Sequence, residues 1–194
     1  MKGKFITFYG INNIGKSTHA QKLTDRLKAE GFDAVFVKFP VYDLEPTGPY
    51  LNNFLRQGKQ EIPEEELQMW FTLNRFQFQP QLKKWLEEGK IVVAEDYTGT
   101  GLAWGSLKGA SLDWLVEINK HLLKEDLGIL IEGQRAINAK EDGHIHETDD
   151  DLVEKCKTVL QDLAVKYDWQ KVQLCEKKED TAGKVWEVVE KFLN

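Results

Sequence analysis

The 194-residue chain is predicted to be an α/β protein of three layers, a central parallel five-stranded sheet flanked by helices. Two observations predict it. Strand-like runs recur at Phe5–Tyr9, Ala34–Phe39, Ile91–Ala94, Leu127–Ile131 and Lys171–Cys175, separated by amphipathic or charged stretches, which is the rhythm of βαβ units with helices over both sheet faces. The first run also leads straight into Gly10-Ile11-Asn12-Asn13-Ile14-Gly15-Lys16-Ser17, a G-x-x-x-x-G-K-S pattern at a strand-to-helix junction.

Each element has its own justification. Phe5–Tyr9 combines aromatic and β-branched residues, as a strand prefers. The two glycines of the following loop let the backbone close into a concave nest of N–H donors, and Ala20, Leu23 and Leu27 then recur at helical spacing. The second run stops at Phe39-Pro40 and is followed by a Pro- and Gly-rich stretch, Asp43–Leu51, before a helix-like segment ending in Trp70–Phe76. Ile91-Val92-Val93-Ala94 and Gly128-Ile129-Leu130-Ile131 are apolar without alternation, as strands buried on both faces should be. An amphipathic segment from Ala182 to Leu193 closes the chain. No internal repeat, low-complexity tract or linker interrupts this order, so one domain over residues 1–194 is expected.

Composition excludes several classes of function. With a net charge of −6 and four arginines among 26 basic residues, the chain lacks the clustered positive charge of a broad nucleic-acid surface. No apolar run approaches membrane-spanning length, and Cys156 and Cys175 stand far apart without metal spacing. A reducing, cytoplasmic location is expected, with no membrane and no nucleic acid among the partners.

The loop points to a nucleoside triphosphate. Its amides, together with the positive end of the helix that follows, form an anion cradle from Gly10, Asn12, Asn13, Gly15, Lys16, Ser17 and Thr18. Lys16 is expected to reach the outer phosphates of ATP, and the Ser17 hydroxyl to help hold Mg2+. In such sheets ligands gather at the carboxyl ends of the strands, which singles out Phe39-Pro40-Val41-Tyr42 and Glu95-Asp96-Tyr97. Phe71 and Arg75 are four residues apart, so on a helix an aromatic plane and a guanidinium share one face. That pair is either a clamp for a nucleobase or a core phenylalanine beside a solvated arginine.

Taken in order, these segments resemble the thymidylate kinase family of P-loop nucleoside monophosphate kinases over nearly the whole chain. The matching features are the phosphate loop, the Phe39-Pro40 pair, Phe71-x-x-x-Arg75, Val92–Tyr97 with Thr100-Gly101-Leu102-Ala103, and Ser111-Leu112-Asp113-Trp114. His144-Ile145-His146-Glu147 with Asp149 looks like the lid end of a bacterial branch. The resemblance implies ATP-dependent phosphorylation of a pyrimidine deoxynucleoside monophosphate, dTMP to dTDP, by a homodimer. It makes Lys16, Glu95 and a lid cation, Arg135 or Lys140 in the stretch 133–147, the catalytic candidates, with Glu95 joining Ser17 at the metal. Phe71 and Arg75 would hold the base, and Phe39, Tyr42, Thr100 and Trp104 would line the same pocket.

Three departures from the family pattern bear on the acceptor. Asn12 stands where an acid is usual, Tyr42 where some members carry an arginine, and Asp96 where an arginine would meet the acceptor phosphate. A buried carboxylate facing a phosphate is costly unless a cation or proton intervenes. Two other functions are therefore carried forward: a deoxynucleoside kinase, whose acceptor has no phosphate, and a nucleotide-binding protein with reduced or lost catalysis.

Overall fold

The computed structural model describes residues 2–56, 61–134 and 150–194. In chain order its elements are β1 (Lys4–Tyr9), α1 (Lys16–Ala29), β2 (Ala34–Lys38), α2 (Thr47–Arg56), α3 (Glu64–Glu87), β3 (Ile91–Glu95), α4 (Thr98–Leu107), α5 (Leu112–Asn119), β4 (Leu127–Glu132), α6 (Asp150–Lys166), β5 (Gln170–Gln173) and α7 (Lys178–Leu193). The strands form one parallel sheet in the order β2-β3-β1-β4-β5. β3 and β4 are buried at every position, which is why their sequences do not alternate.

Every strand differs from its expected run by one or two residues at an end, and β2 and β5 show why. β2 closes at Lys38 because Pro40 has no N–H to extend the ladder, although the Phe39 N–H still donates to the Glu95 carbonyl at 2.9 Å. β5 begins at Gln170 and ends at Gln173; the Leu174 N–H still reaches the Glu132 carbonyl, and the chain then turns so that the Cys175 N–H donates to Thr181 Oγ1 at 2.8 Å. Side chains set these limits, and strand periodicity alone does not contain them.

The main core joins the sheet to the surrounding helices through Phe5, Phe8, Ile129 and Leu27, among others. A smaller cluster, Leu51, Phe54, Leu55 and Leu67, forms between α2 and α3, and Tyr42, Trp70 and Phe71 pack against it. This second cluster builds a wall above the carboxyl ends of the strands.

Trp169, just before β5, is held by stacking and charge. Its ring lies 3.9 Å from that of Tyr9, and its Nε1 and the Tyr9 hydroxyl both donate to Glu125 Oε1, at 3.1 and 2.9 Å. Burial and the Glu125 carboxylate beside it push the Tyr9 phenol well above its ordinary value. The indole fits because β4 carries Gly128 and α4 carries Gly99: a methyl group on these would come within 2.1 and 2.3 Å of Trp169 carbons. Gly128→Ala is therefore expected to lower unfolding stability by about 1–3 kcal/mol, read as a lower denaturant midpoint with an unchanged slope.

Candidate active site

The phosphate loop occupies the turn between β1 and α1 at the centre of the sheet. Gly10, Asn13 and Gly15 have φ values of 150°, 62° and 93°. A Cβ on Gly10 would lie 2.9 Å from both the Ile131 carbonyl oxygen and Ile14 Cγ2, so only glycine lets the loop close against β4. Gly15 caps α1 without a side-chain bond, and no acid stands in the first turn, so the first helical N–H groups and the positive end of the helix are left to an anion. Lys16 curls back over this loop. It is 6% exposed, and its Nζ donates to the Gly10 and Ile11 carbonyls at 3.0 and 3.1 Å.

Two carboxylates end β3 beside that lysine. Asp96 Oδ1 lies 3.7 Å from Lys16 Nζ and accepts the Thr100 hydroxyl at 2.7 Å. Its φ of 58° is left-handed, a conformation that Asp and Asn tolerate better than most residues. Burial, reinforced by the neighbouring Glu95 charge, raises the Asp96 carboxyl above its ordinary value of 3.8, with Lys16 and Thr100 opposing the shift. Glu95 is buried; its Oε1 meets Lys38 Nζ at 3.2 Å, while Oε2 has no hydrogen-bond partner among the described residues. Burial works against the charge on Lys38, but the facing Glu95 and Asp96 outweigh it and its ammonium is held above the ordinary lysine value.

A cavity of about 660 Å3 opens above these groups, a size suited to a small-molecule ligand. It gathers Asn12, Asn13, Gly15, Lys16, Ser17 and Thr18 from the loop, Glu95 and Thr100 from the β3 end and α4, and Phe39, Tyr42, Phe71, Arg75 and Trp104 around the rest. Gly10 lies beneath the loop and contributes its carbonyl to Lys16. Arg135, Lys140, His144, His146 and Glu147 lie outside the described residues. Thr100 reaches the cavity with its hydroxyl already committed to Asp96.

Arg75 departs from the surface alternative. It is 5% exposed, donates from Nη1 to Asn119 Oδ1 at 2.7 Å, and forms no ion pair among the described residues. Burial pulls its guanidinium down to about 10, against the pull of Tyr97, Tyr9 and Asp96, so it stays charged at neutral pH. A buried cation with a neutral partner favours a polar ligand. Gly101 brings α4 close to this guanidinium: a Cβ there would lie 2.8 Å from Arg75 Nη2 and 2.9 Å from Gln68 Oε1 and would push both side-chain ends aside. Phe71 is half-buried against the smaller apolar cluster and lines the cavity on the same helix.

Sequence reasoning passed over Gln68 and Lys38, both of which line the cavity. The signals were present. Gln68, Phe71 and Arg75 stand three and seven residues apart on α3, one helix face, and Lys38 is the last residue of β2, at a strand's carboxyl end. A larger hollow of about 840 Å3 lies at the amino ends of β4 and β5 around Trp169. It holds neither the glycine loop nor the paired carboxylates, so the smaller cavity is the site.

A family profile described as Thymidylate kinase matches residues 8–185. The chain belongs to the thymidylate kinase family. It is 32% identical over 147 residues to the human thymidylate kinase, covering 75% of this chain and 68% of that protein. The fold also matches the thymidylate kinase structure from Candida albicans, with a TM-score of 0.81 at 22% identity over 98% of this chain and 92% of that one. The Ehrlichia chaffeensis thymidylate kinase structure gives a TM-score of 0.76 at 18% identity over 97% and 99%. Within a thymidylate kinase fold, the phosphate loop, the β3 carboxylates and Arg75 surround one cavity.

The raised Asp96 carboxyl has a consequence for stability. The folded chain holds the Asp96 proton more readily than the unfolded chain, so above the raised value the buried anion opposes folding. Asp96→Asn keeps the left-handed backbone and removes the charge. It is expected to raise the melting temperature by a few degrees at neutral pH, with the gain vanishing as pH falls below 3.8, where both states of the unmodified chain carry the proton.

Proposed function

We propose that this chain transfers the terminal phosphoryl group of ATP to dTMP, yielding dTDP, through a single domain over residues 1–194. The carrying observation is that a glycine-lysine phosphate loop and a buried Arg75, without an ion pair among the described residues, face one cavity. Phosphoryl transfer of this kind needs positioning and neutralisation of charge more than a covalent nucleophile from the protein. Loop amides from Asn12 to Thr18 hold the donor phosphates, and Lys16 exchanges its two carbonyl acceptors for phosphate oxygens. Arg75 donates to a carbonyl of the pyrimidine while Phe71 stacks on the ring. Phe39, Tyr42, Thr100 and Trp104 shape the remaining wall.

The donors present fit a magnesium ion. Glu95 Oε2 is buried without a partner among the described residues and Ser17 is exposed at the loop mouth, both lining the cavity. Ser17 and Glu95 would hold the ion, which when bound draws charge from the phosphate oxygens.

Asp96 favours a second reading, a nucleoside acceptor, because its carboxylate lines the cavity where this family's acceptor phosphate would be met by an arginine. Assays with ATP and magnesium separate the two: faster turnover of dTMP than of thymidine supports the monophosphate, and the reverse order replaces it. Lys16→Ala is expected to reduce turnover at least about 100-fold while preserving the circular dichroism spectrum, since its charge serves the transferring group. Undiminished turnover in that variant would remove the loop from the chemistry.

A homodimer in a cytoplasmic setting completes the proposal. Met69 and Leu73 are 51% and 47% exposed and four residues apart on α3, one apolar face suited to a second copy. Sedimentation is expected to give twice the monomer mass, falling to the monomer value when both residues become glutamate.

A further inference from the structure

Resting on that acceptor, we propose that Lys38 is the cation that binds its 5′-phosphate, in place of the arginines absent at Tyr42 and Asp96. The charges at the carboxyl end of the sheet lead there. Lys16, Lys38, Glu95 and Asp96 form a quartet of two cations and two carboxylates, with Lys16 on Asp96 at 3.7 Å and Lys38 on Glu95 at 3.2 Å. All four line the cavity. Once Lys16 turns to the donor phosphates, Asp96 retains the Thr100 hydroxyl and the field of Lys38 as its compensation. A phosphate entering beside it meets a carboxylate, and only a nearby cation makes that approach favourable.

Lys38 has the right geometry for that duty. It ends the edge strand β2 in register with Glu95, so its ammonium projects across the ends of β2 and β3. Its side chain is 48% exposed, unlike that of Lys16 at 6%, and it can leave Glu95 for a ligand without uncovering the core. Tyr42 is within electrostatic reach of it, which puts Lys38 at the mouth shaped by the Phe39-Pro40 turn. The arginines that line the cavity among the described residues are otherwise placed: Arg75 is buried on Asn119, and Arg56 donates to Asn52 at the far end of α2.

The test compares equilibrium binding of dTMP and thymidine, by calorimetry, to the unmodified chain, Lys38→Ala and Lys38→Arg. The expected result is tighter binding of dTMP than of thymidine by the unmodified chain, a loss of about 10- to 100-fold in dTMP affinity in Lys38→Ala with thymidine unchanged, and retention of most of the preference in Lys38→Arg. A preference for dTMP that survives in Lys38→Ala overturns the proposal, as does a parallel loss for both ligands or no preference in the unmodified chain. Turnover is measured separately. A chain that binds dTMP through Lys38 but does not phosphorylate it would sink the kinase reaction and leave this assignment standing.

Discussion

The site is governed by the burial of charge where β1, β2 and β3 end. Two lysines and two carboxylates meet there, Lys38 half exposed and the other three largely buried, and each is stabilised by another or by a backbone group. The arrangement is poised for exchange. Lys16 is satisfied by carbonyls of the loop it belongs to, and those bonds can be traded for phosphate oxygens without disturbing the strands. Glu95 has one oxygen paired and one without a partner among the described residues, so the buried end of β3 retains capacity for a further ligand.

The phosphate loop and the Phe71–Arg75 wall of the cavity are parts of one construction. Gly10 lets the loop close against β4, an approach that would not survive a Cβ, and Gly101 brings α4 against the ends of the Arg75 and Gln68 side chains, which a Cβ would displace. The α2–α3 cluster supports Phe71 from behind. The ligand-facing groups therefore rest on helices and strand ends, and the glycines determine how closely those elements converge. Arg75 illustrates the consequence: Tyr97, Tyr9 and Asp96 offset its desolvation only in part, and its hydrogen bond to Asn119 is to a neutral partner, so the pocket holds a charge suited to a carbonyl-bearing ring.

The departures at Tyr42 and Asp96 change the electrostatics without changing the fold. Asp96 takes a left-handed conformation, accepts the Thr100 hydroxyl and stays near Lys16. The cations facing these carboxylates are spread over two elements, Lys16 on α1 and Lys38 on β2.

Much of this was legible in the residues alone. Unalternating runs in β3 and β4 announced buried parallel strands, and the G-x-x-x-x-G-K-S spacing located the cradle, because both are local consequences of backbone geometry and burial. The order of motifs named the thymidylate kinase family, and all the candidate loop residues except Gly10 reach the cavity. Spacing could not decide whether Arg75 was a solvated surface residue or a buried pocket cation, since one helix face serves either outcome until Asn119 and Gly101 arrive from other elements. Nor could it pair Lys38 with Glu95, which are 57 positions apart and meet only through the register of β2 on β3. The sequence by itself determined which elements form and where the glycine loop joins the first helix; the tertiary structure decided which charges face one another, because ion pairing depends on distances that the packing of the sheet and helices creates.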